Sequence, residues 1–410
     1  SISCTTVEGV GTGLQWMVII GLQESSILTS NTTDYLPPSV TGLAANADSP
    51  TEGGEIITIS GTGFGPSGNS DTSAAYGPST GNTSKYVVAS CTVKSQVEME
   101  CTTVAGVGKD LQWKVVVGFQ DSTPVFTGNK TKYVAPTIND TSESITVQGS
   151  DTLMSTAGTA ANGSRVIIAG TNFGPACTNC VTATYGGSTG TDYPTGSGET
   201  ISCDVTSDHT TLLCDTVAGV GTNLRWKVTV SLQTSPLSST NNSVSYVGPT
   251  LGSLSGDAVD SATTTYGGQS ITLTGTNFGP ASHTKVVVKY GPTVNANKYT
   301  ATPCTVVGQT EITCSTIVGV GIGLKWRVSI DGQDSGLSTA TTSYVVPQLL
   351  SLTGAAADAA TTTDGGAAIT LTGDFFGPLG LTGSDVVVNY GSAKRYTASG
   401  CSVVVLQTSI

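Results

Sequence analysis

Apolar and polar residues alternate along this chain in short runs closed by glycine and proline. In Ile271-Thr272-Leu273-Thr274 the apolar pair faces one way and the threonines the other, the period of a half-buried strand. Gly275, Gly279 and Pro280 then break the run and turn the chain, and Phe278 is placed to plug the end of a core. Further on, Leu324, Trp326, Val328 and Ile330 share one face, while Lys325, Arg327 and Ser329 share the other. Many such strands at regular spacing predict an all-β sandwich architecture.

The runs recur. "GTGFGP" (61–66) returns as "GTNFGP" (170–175), "GTNFGP" (275–280) and "GDFFGP" (373–378). "GVGTGLQW" (9–16) returns at 106–113, 219–226 and 319–326, and "DYLPP" (34–38) returns at 132–136, 245–249 and 343–347. Trp16, Trp113, Trp226 and Trp326 therefore recur about every 100 residues, one immunoglobulin-sized sandwich per repeat. Each indole is expected in a core otherwise poor in aromatics. The "GVG" phrase reads as a tight turn with positive φ. A phosphate-binding reading fails, because no P-loop lysine and no helical pattern accompany it.

Composition narrows the class. Only 11% of the 410 residues are charged but 37% are hydrophobic, which is not the signature of disorder. The net charge of −12 argues against nucleic-acid binding. No apolar run approaches the ~18 residues of a membrane span.

The stretches "VGPTLGSLSG", "YGGQSITLTGTNFGP" and "CTVVGQTEITC" in residues 247–314 resemble the IPT/TIG family of immunoglobulin-like domains. The tandem arrangement with cysteine pairs is most similar to the extracellular arrays of fibrocystin-like and plexin-like proteins. The resemblance covers nearly the whole chain. It departs in 137–165, where "GTAANGSRVIIAG" replaces the Gly-Gly strand start, in a repeat about 13 residues longer than its neighbours. The same module occurs in Rel-type transcription factors, but the acidic charge argues against that branch.

Ten cysteines follow the repeats. Cys91 and Cys101, Cys203 and Cys214, and Cys304 and Cys314 hold equivalent places, and one disulfide per repeat is expected there. Cys177 and Cys180 form a C-x-x-C with no second ligand pair for zinc and no βαβ pattern for redox chemistry, so a small local disulfide is expected. Disulfides imply an oxidising compartment, hence an extracellular or cell-surface location. Asn31, Asn82, Asn129, Asn139, Asn162 and Asn241 are Asn-x-Ser/Thr sequons, candidates for covalent glycans.

The repeats are offset against the chain. Residues 1–35 read as the C-terminal half of an IPT/TIG domain, 36–135, 136–247 and 248–346 as three whole domains, and 347–410 as the N-terminal half of a fifth. The first half would leave Leu14, Trp16, Val18 and Ile20 facing water. The last would uncover Ile369, Leu371, Val387 and the run Val403–Leu406. By repeat position Cys4 matches Cys314 and Cys401 matches Cys304, so an intermolecular Cys4–Cys401 disulfide is expected. Either successive copies complete one another, or the 410 residues are a window of a longer repetitive chain. Direct joining would put twelve residues between those cysteines, against nine or ten in the internal pairs, which favours separate copies. Junctions such as Tyr133–Pro136, Tyr246–Pro249 and Tyr344–Pro347 carry no flexible spacer, which points to a rod.

Nothing in the sequence assembles a catalytic site. His209 and His283 lie in different repeats without a nucleophile and are expected in exposed loops. Asp48, Glu52, Asp257, Asp260, Asp358 and Asp364 lie near repeat starts without the density or spacing of a calcium site. The chain is therefore expected to be no enzyme, with no cofactor and no metal. The leading expectation is an extracellular structural protein that assembles head to tail into a filament or surface fibre. An adhesion or receptor ectodomain binding a protein or glycan is the alternative, and a spacer of a secreted polysaccharide enzyme a third reading.

Overall fold

The computed structural model describes residues 1–44, 48–123, 126–141, 143–149, 153–157, 164–195, 199–358, 360 and 363–405. Asn162, Leu406 and the side chain of Asp358 lie outside the described residues. Strands dominate, and helix is confined to single turns such as Asp257–Asp260 and Ala355–Asp358. Contacts divide the chain into two compact units. One is Ser1–Thr152, Arg165–Asp215 and Asn223–Val244; the other is Leu153–Ser164, Thr216–Thr222 and Ser245–Ile410.

In the first unit, residues 39–121 form two four-stranded sheets over one core. One sheet has the order Ser39–Ala44, Ile56–Thr62, Glu98–Thr102, Ser90–Ser95; the other has Gln120–Asp121, Leu111–Val117, Thr72–Pro78, Tyr86–Val87. In chain order this is A-B-E-D over G-F-C-C′, the immunoglobulin strand arrangement. The period-2 pattern decides which faces meet. Leu111, Trp113, Val115 and Val117 are buried, while Gln112, Lys114 and Val116 alternate outward. Trp113 stacks on Tyr76 with ring centroids 4.4 Å apart, and its Nε1 donates to Thr131 Oγ1 at 2.8 Å.

The same unit holds an eight-stranded sheet. Here Cys177–Gly186 runs for 10 residues and pairs with Ile201–Ser207 on one side and Arg225–Val230 on the other. Its counterparts Thr72–Pro78 and Val286–Gly291 span 7 and 6 residues and make no such double pairing with their D strands. Val181, Thr182 and Ala183 pair with Cys203, Ser202 and Ile201, and Cys177, in the extra length that carries the Cys177–Cys180 disulfide, pairs with Val205, so the two layers are joined along one edge.

The second unit repeats the two-sheet plan. Thr250–Ser255, Ser270–Thr276, Glu311–Ser315 and Cys304–Gly308 form one sheet; Tyr299–Ala301, Val286–Gly291, Lys325–Ile330 and Gln333–Asp334 form the other. Ile271, Leu273, Phe278, Trp326, Val328 and Ile330 are all buried in one cluster.

Three disulfides, Cys91–Cys101, Cys203–Cys214 and Cys304–Cys314, join residues directly opposite each other on paired antiparallel strands. Two stretches carry only partial sheets. In residues 1–35, Leu14–Trp16 pairs with Leu28–Thr33, and Ile19–Ile20 with Gln23–Glu24. In 347–405, Gln348–Thr353 pairs with Thr370–Asp374, and Asn389–Tyr390 with Tyr396–Thr397.

Candidate assembly interface

Within each unit one joint recurs between consecutive repeats. Its core is the "GVG" turn. The first glycine lies against a tyrosine ring: a Cβ on Gly106 or Gly319 would come within 2.9 Å of Tyr133 or Tyr344. The last glycine holds positive φ, 120° at Gly108 and 123° at Gly321. The valine between them projects into the next repeat. In the first unit Val10 fills the space beside Gly65, and Val107 that beside Gly174; in the second, Val220 fills that beside Gly279, and Val320 that beside Gly377. A side chain on any of these four glycines would collide with its valine, and all four hold positive φ.

A glutamine staples three of these four joints. Gln120 Nε2 donates to the Tyr35 carbonyl at 2.9 Å, Gln233 to the Tyr133 carbonyl at 2.9 Å, and Gln333 to the Tyr246 carbonyl at 3.0 Å. These joint roles are absent from the sequence reading, which takes "GVG" only as a turn. The usable signal was the fourfold pairing of a "GVG" valine with an "FGP" glycine.

The tyrosines anchor each repeat. Tyr133 Oη donates to the Val104 carbonyl at 2.6 Å and lies 2.6 Å from Tyr76 Oη; Tyr344 Oη lies 2.7 Å from Tyr290 Oη. Burial, reinforced by those hydroxyl contacts, pushes Tyr133 and Tyr344 far above the ordinary phenol range, so both stay protonated.

Both histidines depart from the exposed-loop expectation. His209 is half-buried, with Nδ1 2.9 Å from Thr51 Oγ1, a contact between consecutive repeats in the first unit. His283 is half-buried because its ring folds back on its own turn. Nε2 lies 3.0 Å from the Phe278 carbonyl, and Nδ1 accepts from the Lys285 N–H. Burial holds His283 below the ordinary imidazole range.

The partial sheets present apolar faces. Trp16, expected to face water in a half-domain by itself, is 41% exposed. Its Nε1 still donates to Thr33 Oγ1 at 3.0 Å, but residues 1–35 contain no strand to lay a tyrosine over the indole. Val18 and Ile20 are exposed and Leu14 is half-buried. In the other partial sheet Tyr390 is 55% exposed, and Ile369, Val387, Val404 and Val405 are exposed with it. Leu371 is half-buried, and Val403 is buried rather than uncovered, tied to Leu381 and Gly380 by backbone hydrogen bonds. An open hollow of about 490 Å³ runs past Val386, Val387 and Cys401. Cys4 is exposed and Cys401 half-buried, both as free thiols.

Asn31, Asn82, Asn129, Asn139 and Asn241 are all exposed. Among the described residues no group of three or more His, Cys, Asp or Glu side chains is placed to hold a metal ion, and no helix is long and apolar enough to cross a membrane. Asp48 pairs with Lys132 at 3.1 Å, and Asp257 accepts from the Ser270 hydroxyl.

No protein-family model matches the chain, and no curated protein matches it. Among solved structures it is similar to the plexin A4 extracellular region, at 14% identity and a TM-score of 0.23, over 75% of this chain and 34% of that one. It is also similar to the Escherichia coli adhesin FdeC (13%, 0.22, covering 76% and 100%). The titin domains A168–A170 match at 11% and 0.21, again covering 76% and 100%. The chain thus spans about a third of the plexin chain it matches. The immunoglobulin-like assignment rests on the strand order described above.

Proposed function

We propose that this protein is an extracellular structural subunit that assembles head to tail. In this reading 36–135, 136–247 and 248–346 are whole domains, and residues 347–410 of one copy and 1–35 of the next make one more. The observation that carries it is a matched pair of deficits. Trp113, Trp226 and Trp326 each stack on a tyrosine at 4.2–4.4 Å. Trp16 has no such ring, and Tyr390, at the repeat position of Tyr290, has no indole. Bringing the two together also places Tyr35 beside Tyr390 and sets Cys4 opposite Cys401, as Cys314 lies opposite Cys304. Each large apolar side chain so covered contributes roughly 1.5–3 kcal/mol. A contact between two different surfaces that does not close generates a filament. The disulfides and exposed sequons support an extracellular setting and a glycan coat.

Peptide mapping of native material without reduction tests this. A Cys4–Cys401 linked peptide pair, with free termini at Ser1 and Ile410, is the expected result. Peptides reading through either terminus would identify a longer continuous array. Two free thiols on a chain that stays monomeric at every concentration would return the adhesion or receptor ectodomain to first place.

A further inference from the structure

Three hairpin tips stand out against ordinary turn chemistry. Gly21-Leu22, Gly118-Phe119 and Ser231-Leu232 all hold positive φ at both residues, as does Asp331-Gly332 in the fourth repeat. A two-residue tip of this kind favours glycine or asparagine, and only the fourth repeat puts glycine at its second position. Leu22 holds φ 69° while 97% exposed. Phe119 and Leu232, at tips whose joints are made within the chain, are 93% and 77% exposed as well, so what a tip meets is read from its backbone and its glutamine rather than from exposure.

The joints show where such a tip sits. In the first unit the Gly118 tip abuts the preceding "GVG" turn, where its Cβ would lie 2.6 Å from Gly11 N. Ser231 Oγ likewise approaches Gly108. The residue after each tip is the glutamine that donates to the preceding tyrosine carbonyl. One step beyond the "GVG" stand Thr12, Lys109 and Thr222, all polar. The fourth such position is Ile322, which is 74% exposed. Within residues 1–410 the Ile322 turn has no tip from a following repeat to receive, and the Leu22 tip has no "GVG" turn of a preceding repeat to meet. These two unmatched members of the series are both apolar.

We infer that the contact between copies reaches past the completed sandwich: the Leu22–Gln23 tip of one copy seats on the Ile322 turn of its neighbour, and Gln23 donates to that neighbour's Tyr344 carbonyl. The partner is a second copy of this chain, and the inference rests on the head-to-tail reading. Ile322 is the one apolar residue among the four that stand one step beyond a "GVG", so an apolar tip residue on it distinguishes this joint from the internal ones and favours the correct end of the correct chain.

The test is the rate at which the full chain forms Cys4–Cys401-linked multimers, followed on non-reducing gels. Leu22→Asp and Ile322→Asp should each slow it at least about tenfold, while Phe119→Asp, at an internal tip, should leave it near the parent rate. Mixing Leu22→Lys chains with Ile322→Asp chains should recover most of the loss, which a misfolded variant would not do. Multimers forming at the parent rate in both aspartate variants would overturn the clasp and leave head-to-tail assembly standing. A parent chain that forms no multimers would overturn both.

Discussion

The strand pair Thr250–Ser255 with Ser270–Thr276 and the pair Gln348–Thr353 with Thr370–Asp374 share one register, down to the irregularity after Leu251 and Leu349. Their side chains fare differently. Ile271, Leu273 and Tyr290 are fully buried, whereas Ile369 and Tyr390, at the same repeat positions, are exposed. Backbone pairing is therefore set by nearby sequence, while burial waits for the E strand and the tryptophan strand. In 248–346 the same chain supplies them; in 347–405 it does not.

The sharpest way to break this comparison is at the indoles. Trp326→Ala should destabilise its sandwich by about 3–5 kcal/mol, read as a fall in the denaturant midpoint. Trp16→Ala should hardly move that midpoint in the monomer, because the indole is already partly in water, yet it should block multimer formation. Next in size is the joint. Gly279→Ala forces a Cβ against Val220 in a left-handed conformation and should cost about 1–3 kcal/mol. Thermal unfolding would show it, and a Val220→Ala second change should recover part of the loss.

A smaller effect separates the third repeat from its neighbours. Trp226 Nε1 is buried without a hydrogen-bond partner, because Val244 stands where Thr131 and Thr342 accept from Trp113 and Trp326. Val244→Thr should stabilise the protein by about 1 kcal/mol in chemical denaturation. The smallest effect concerns His283. Burial depresses its folded-state pKa, outweighing the Phe278 carbonyl and Asp331, which favour the charged form; Lys285 opposes it. As pH falls through the ordinary histidine range near 6.5, the unfolded chain binds the proton first. Stability is thus full above that range and declines below it, levelling off under the folded pKa. The urea midpoint should drop between pH 8 and pH 5.5, and His283→Gln should reduce that drop.

Much of the fold was legible because it is local. The alternation in Ile271–Thr274 and Leu324–Ile330 marks strands whose two faces differ in hydration. Equivalent cysteines were legible because cross-strand neighbours keep nearly the same separation, 10 or 11 residues, in three repeats. The valine of "GVG" was not, because its partner glycine lies in the next repeat, at a sequence distance that no periodicity measures. His283 was misread for a similar reason: polarity suggests exposure, but a turn can fold a ring onto its own carbonyl. The fused third sheet was also hidden, since the pairing of Cys177–Gly186 with a second neighbour depends on how far that strand extends beside Ile201–Ser207.

By itself the sequence determined the strands, their inward faces, the repeat and the places of the cysteines, because these follow from side-chain alternation and turn chemistry over a few residues. Only the tertiary structure decided which valine enters which glycine hollow, which glutamine reaches which carbonyl, and that Trp16 and Tyr390 stay uncovered. Those outcomes depend on surfaces brought together from distant parts of the chain, and burial is a property of the assembled surfaces.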